Sequence, residues 1–272
     1  MKTVIVLLFS AMAVFQGCDG RIYRSDLTPP GAPRGLYTIT GDNVVDLCWI
    51  HNGEDDVAGY NVFVSSSYNG RYQFIGSTNL NHFIDQDARN GNTYYYAVSA
   101  YDFAGNESEL SRDIAYDTPR PEGYGVVLYD YRANPSLAGY DFSTYSIGQY
   151  NDQYTDIFFE YFSGGYYMNV WQDSDIQDMG FTTSLLEIGE APASGWSPTK
   201  DARLIAGHTY VAWTWDNHYA KFRVKSLSPS RVVFDWAFQL QSGNPRLKPA
   251  GSGREGELRM GRGALQRVNV TQ

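Results

Sequence analysis

Two cysteines in 272 residues are too few for a disulfide framework, so Cys18 and Cys48 need separate explanations. Histidine is nearly as sparse. His51, His82, His208 and His218 contain no i, i+4 pair and no cysteine cluster accompanies them, which removes the usual zinc patterns. There is no G-x-S-x-G nucleophile elbow. The stretch GSGREG at 251–256 has the spelling of a dinucleotide loop, but it follows no predicted strand and opens no predicted helix. No apolar run reaches the ~20 residues of a membrane-spanning helix. Long charged helical patterns are missing as well. Positive charge is scarce: the net charge is -9, and from Gln241 onward six basic residues stand against two acidic ones, so the rest of the chain is more acidic still. Nucleic-acid binding depends on Lys and Arg displacing counterions, and this balance argues against it.

What the chain has is aromatic side chains and glycine. Aromatics make up 15% of the residues, with 22 Tyr, and there are 27 Gly. That composition favours β-structure and ligand-contacting surfaces. The expected fold class is all-β, with one sandwich followed by a second antiparallel β-sandwich.

Lys2 and the apolar stretch from Val4 to Phe15 have the form of a secretory signal over residues 1–17. Gly17-Cys18 after that stretch resembles the lipobox of bacterial lipoproteins, although Phe15 and Gln16 depart from its usual Leu and small residue. That resemblance implies lipidation at Cys18 and a membrane anchor in the bacterial cell envelope, at the outer membrane or cell surface. Plain secretion with a free or bridged Cys18 is the alternative. Cys48, without an activating neighbour pattern, reads as a packed or edge thiol. Residues 18–31, with Pro29, Pro30 and Gly31, read as a stiff tether.

Between 32 and 118 short runs alternate apolar and polar residues with period two: VVDLCWI, GYNVFVSS, YQFIGS, NHFID and NTYYYAVSAYD. Pro30-x-x-Pro33, Trp49, DDVAGYNVF and GNTYYYAVSAYDFAGNESELS resemble a fibronectin type III module from end to end. The resemblance implies a seven-stranded sandwich with Trp49 in its core. It also puts Tyr94 at the tyrosine corner, its hydroxyl tied to backbone, and Tyr96, Val98 and Ala100 on the inward face. Such modules serve as spacers, adaptors and occasional binders.

Residues 119–242 hold two further units. In IFFEYFSGGYYMNVW, a two-residue turn at Gly164-Gly165 pairs Phe159 with Val170 and Tyr161 with Met168. Phe158, Glu160, Phe162, Tyr167, Asn169 and Trp171 then share one face. A mixed aromatic and polar face suits a sugar, while a strand buried on both sides explains the same pattern. In HTYVAWTWDNHYAKFRVKSLSPSRVVFDWAFQL, a two-residue turn at Asp216-Asn217 pairs Trp213 with Ala220 and sets Tyr210 against Arg223; a three-residue turn is set aside. An odd loop around Pro229 sets Phe234 against Val224, Trp236 against Phe222 and Asp235 against Arg223, giving a three-stranded meander. This second stretch resembles the C-terminal strands of haemophore-like lipoproteins of Bacteroidetes, without any ligand motif.

DSDIQD gathers Asp173, Asp175 and Asp178 in an expected acidic loop. Calcium favours several oxygens on one loop, but the EF-hand Gly and Glu are missing. Paired carboxylates also serve glycoside hydrolysis, yet spacing along the chain does not show two of them meeting. Residues 243–272 show no period and read as a disordered basic tail. The expectation is a non-catalytic envelope protein that binds a glycan or an envelope protein through Tyr167, Trp171, Trp196, Asp173, Asp175 and Asp178. No cofactor and no metal are expected. The competing expectations are haem or metal carriage through His208 or His218, and a glycoside hydrolase-like enzyme.

Overall fold

A computed structural model describes residues 26–113 and 115–248. The signal segment, Cys18 and the tail beyond 248 lie outside the described residues.

The first half folds as seven strands: β1 (Arg34–Thr40), β2 (Val45–Ile50), β3 (Val57–Ser65), β4 (Gln73–Thr78), β5 (His82–Asp85), β6 (Tyr94–Asp102) and β7 (Ala115–Asp117). They form two antiparallel sheets, β1-β2-β5 and β4-β3-β6-β7, the arrangement expected of a type III module. Alternation sets what is inside: Val45, Leu47 and Trp49 from β2 meet Tyr60, Val62, Tyr96, Val98 and Ala100 from the facing sheet. Trp49 and Tyr60 pack edge to face at 5.2 Å. The Arg89 amide donates to the Tyr94 hydroxyl at 3.0 Å, which pins the loop entering β6. Tyr94→Phe is therefore expected to cost about 1 kcal/mol in urea unfolding, and an unchanged midpoint would show that the hydroxyl ties nothing.

The second half contains ten strands: β8 (Glu122–Tyr129), β9 (Gly139–Asp141), β10 (Ser146–Gly148), β11 (Ile157–Phe162), β12 (Gly165–Asn169), β13 (Asp175–Phe181), β14 (Asp201–Arg203), β15 (His208–Trp213), β16 (Tyr219–Ser228) and β17 (Arg231–Gln239). Two five-stranded sheets, β10-β9-β11-β12-β14 and β13-β15-β16-β17-β8, enclose Tyr140, Phe142, Ile157, Phe159, Met168, Tyr210, Phe222, Phe234 and Trp236. Phe222, Phe234 and Trp236 thus lie in the core, as the alternation implied.

Two hairpin registers differ from expectation. The β11–β12 turn is Ser163-Gly164, both with positive φ (50° and 79°), so Phe159 pairs with Met168 and Tyr161 with Tyr166. This shift is two residues, and an even shift leaves every side chain on its expected face. At β15–β16 the shift is one residue. The loop from Thr214 to His218 closes through Thr214 N to His218 O (2.9 Å) and carries Asn217 at φ 65°. Tyr210 then faces Phe222 in the core, while Val211 faces Lys221 on the outside. The turn has three residues, Trp215 to Asn217, but its register pairs Trp213 with Tyr219, neither the Ala220 of the expected turn nor the Lys221 of the three-residue turn set aside from the sequence. Alternation failed here because both faces of β15 are buried, and a strand of that kind does not announce its inward side.

At β16–β17 the expected pairs Val224–Phe234, Phe222–Trp236 and Arg223–Asp235 are present, but the turn is the two-residue Pro229-Ser230 and a bulge at Lys225 supplies the odd residue. Asp235 takes its ion pair from Lys225 at 3.2 Å, while Arg223 donates to the Thr182 carbonyl instead.

The outer side of the β15–β16 sheet is covered by the chain itself. Ala191, Val211 and Leu247 are buried together, with Ile188, Trp196 and Tyr219 packed around them. Residues 243–248, expected in the tail, belong to this cover: the Leu247 amide donates to Gly189 O at 2.9 Å and the Ala191 amide to Pro245 O at 2.8 Å. A single apolar residue, Leu247, with three backbone bonds to residues 189–191 holds the segment, and it is too short to show a period.

Candidate functional site

The other sheet keeps its outer face open. Ile157, Phe159, Met168 and Ala202 point inward from β11, β12 and β14. Their neighbours Phe158, Glu160, Tyr167, Asn169, Asp201 and Arg203 therefore share the outward face, in cross-strand rows Phe158–Asn169–Asp201 and Glu160–Tyr167–Arg203. All of these are half-buried or exposed.

Loops enlarge the face. Trp171, just past β12, is 39% exposed, and its ring lies 5.3 Å from Phe158. Tyr131 and Tyr150 meet each other at 4.7 Å and approach Phe158 at 5.6 and 5.5 Å. Arg132 lies over Tyr131 and Phe162, at 4.8 and 5.0 Å from their ring centres, and pairs with Glu160. Asn169 Nδ2 donates to Glu160 Oε2 at 3.3 Å. Rings tilted against one another, edged by an ion pair, an amide and a carboxylate, offer apolar contact for the C–H face of a sugar and hydrogen-bond partners for its hydroxyls.

Of the six expected binding residues, Tyr167 and Trp171 lie on or beside this face. Asp173 is exposed two residues past Trp171. Trp196 packs against Trp213 and Tyr219, at 6.0 and 6.4 Å, in the cover of the opposite sheet. Asp175 and Asp178 lie on β13, which was expected to be a loop; Ile176 is fully buried between them and pairing to β15 extends the segment. Asp175 binds Lys200 Nζ at 2.8 Å, and Asp178 binds His208 Nδ1 at 3.0 Å and the Gly180 amide at 2.8 Å. Strand alternation sends these two carboxylates to different partners, so they share no calcium loop.

His208 opens β15, and His218 stands just before β16, beyond the turn at the other end of that strand. His208 is committed to Asp178, and His218 Nδ1 lies 3.3 Å from Asp216. They do not converge as a haem or metal pair. Among the described residues one set of three carboxylates comes within 4.8 Å, Asp26, Asp56 and Asp102, at the first sandwich. Asn106 holds Asp102 below the usual carboxylate range through its side chain and its amide, and these bonds already occupy both Asp102 oxygens. Tyr131, Arg132 and Tyr150 were not legible in the sequence, because they lie in irregular segments where no period reports direction.

No family model matches the chain. It is 42% identical over 93 residues to an amylopullulanase of Thermoanaerobacterium thermosulfurigenes, which is 34% of this chain and 5% of that protein. It is 30% identical over 116 residues to exoglucanase B of Cellulomonas fimi, 42% of this chain and 10% of that protein. The chain therefore spans a small fraction of the length of these relatives. Among solved structures, a Fn3-like protein from Clostridium thermocellum matches 35% of this chain and 97% of its own, at 26% identity and a TM-score of 0.28. The fold of the first half rests on its own strand order: the facing antiparallel sheets β1-β2-β5 and β4-β3-β6-β7 make it a fibronectin type III-like sandwich.

Proposed function

We propose that this is a non-catalytic, lipid-anchored protein of the bacterial cell envelope, whose type III sandwich projects a second sandwich that binds a glycan. The observation that carries this reading is the asymmetry of the second sandwich. One sheet has its outer face sealed by residues 188–191 and 245–248, whereas the other exposes Trp171 and Phe162 beside Tyr167, Glu160, Arg132 and Asn169. Exposed aromatic groups rimmed by polar ones mark a binding face. The anchor, through Cys18, rests on the sequence motif alone, and so does placement at the outer membrane or cell surface.

The relatives are named for amylopullulan- and glucan-directed enzymes, so soluble glucans are the first ligands to test on this chain. Trp171→Ala is expected to abolish retardation of the protein in glucan-containing native gels and to remove its signal on a glycan array. Unfolding free energy should change by no more than about 1 kcal/mol, since the ring is substantially exposed. Retained glycan binding in this variant, or loss of folding with loss of binding, would remove the site from this face. The absence of any glycan ligand for the unaltered protein would leave an envelope-protein partner as the reading of the same face.

A further inference from the structure

A second concave site lies at one end of the same sandwich, where the loop after β9 and the loop before β11 meet the β15–β16 turn. A cavity of about 290 Å³ is lined by Asp141, Thr144, Ser146, Asp152, Tyr154 and Thr155, with Gly148 and Gln149 completing it. Its wall carries two carboxylates and no basic residue. Tyr154 is 52% exposed, and its ring meets that of Trp215, 44% exposed, at 6.2 Å. Two large rings standing in water beside a polar hollow are unusual for a surface with no ligand to receive.

The ground under this end is acidic. Ser143 links two carboxylates: its amide donates to Asp141 at 2.8 Å and its hydroxyl to Asp216 at 3.0 Å. The next residue back, Phe142, donates its amide to Asp156 Oδ2 at 2.8 Å. Asp156 is 1% exposed, and its other oxygen, Oδ1, has no partner. A buried carboxylate with an unsatisfied oxygen is costly, and most such groups in folded proteins find a partner. The carboxylates of Asp141, Asp216 and Asp173 all act on it electrostatically. His218 Nδ1 lies against Asp216, at 3.3 Å.

We propose that this end of the sandwich binds an amine-bearing sugar, its ammonium held among the carboxylates and against the faces of Tyr154 and Trp215. The chemistry follows from what the cavity offers. Carboxylates and hydroxyls supply acceptors in excess, aromatic faces attract cations, and the unbalanced negative charge disfavours acidic sugars. The volume lies at the small end of ligand cavities and suits one sugar unit better than an extended chain. The site is distinct from the Trp171 face and does not depend on the reading of that face.

The test is isothermal titration of the full chain with the β-1,4 tetramer of glucosamine and, in parallel, with its N-acetylated counterpart. These share a skeleton and differ in charge. The amine form is expected to bind about tenfold more tightly, with an advantage that shrinks as sodium chloride is raised. Asp152→Asn keeps the oxygen that accepts the Tyr154 amide and removes the charge, and Trp215→Ala removes an exposed ring. Each is expected to weaken binding of the amine form about fivefold or more while leaving the far-ultraviolet spectrum unchanged. Equal affinity for the two tetramers, binding of neither, amine binding untouched in both variants, or a response to calcium ions in place of the amine would each overturn the proposal.

Discussion

Lys221→Met is expected to make the protein more stable at pH 8, by about 2 kcal/mol. Lys221 lies on the outer face of β16, fully buried beneath the segment that includes Ile188. Its ammonium finds one acceptor, Ile188 O at 2.8 Å, and forms no ion pair among the described residues. The nearby Glu122 is already bound to Arg120 at 2.9 Å. Burial comes first in pushing the Lys221 amine down, from 10.5 to about 6; Arg120 and Lys248 push the same way and Glu122 opposes them. The folded pKa is below the unfolded one, so between roughly pH 6 and 10.5 the unfolded chain holds the proton and the folded chain does not. Stability therefore rises with pH across that window, and below it the whole penalty applies. At pH 8 the penalty is about 3 kcal/mol, and losing the bond to Ile188 returns about 1. Methionine matches the unbranched stem and needs no proton. Urea unfolding at pH 8 and at pH 10.5 reads the difference directly, because other titrations cancel between the two proteins. The advantage should disappear at the higher pH, and a less stable variant at pH 8 would show that Lys221 is solvated or paired in solution.

Lys221 also shows where the sequence is a poor guide. In β2 the apolar residues alternate cleanly because one face meets a core, and Trp49 could be placed from that pattern; β6 is buried on both faces from Tyr96 to Ala100, and Tyr94 and Tyr96 were placed by the module it resembles. In β11–β12 the turn was misplaced by two residues, but period two tolerates an even error, so the Phe158–Glu160–Tyr167–Asn169 face survived. In β15–β16 the error was one residue. A lysine between Ala220 and Phe222 reads as a solvent-facing position, and nothing local says that Leu247, far along the chain, helps cover that face. The candidate site divides the same way. Its strand residues follow from alternation, whereas Tyr131, Arg132 and Tyr150 reach it through loops. Asp175 and Asp178 look like one acidic cluster in the sequence, and the strand separates them.

Asp156→Asn is the second substitution expected to stabilise, with the opposite pH dependence. Burial comes first in raising the Asp156 carboxyl from 3.8 to about 8; the Phe142 amide opposes the rise, and the charges of Asp141, Asp216 and Asp173 add to it. Here the folded state holds the proton more tightly than the unfolded chain does. The native protein is thus least penalised below pH 3.8, loses stability as pH rises from there to about 8, and carries the full penalty above that. Asparagine imitates the protonated acid: its carbonyl oxygen still accepts the Phe142 amide, and its NH₂ brings donors to an end of the sandwich crowded with carboxylates. The expected gain is about 2–4 kcal/mol at pH 8 in amine-free buffer, falling to nothing near pH 4. Chemical unfolding at the two pH values gives the result, and a variant less stable at pH 8 would mean that the ionised carboxylate has a partner in solution. The two substitutions remove opposite slopes. Asp156 makes the native protein weaken toward alkaline pH, while Lys221 makes it weaken toward acid. They share none of the groups that shift them, so their effects should add. The double variant is then expected to hold a nearly level stability between pH 6 and 8, a range over which each single variant keeps the slope of the group that remains.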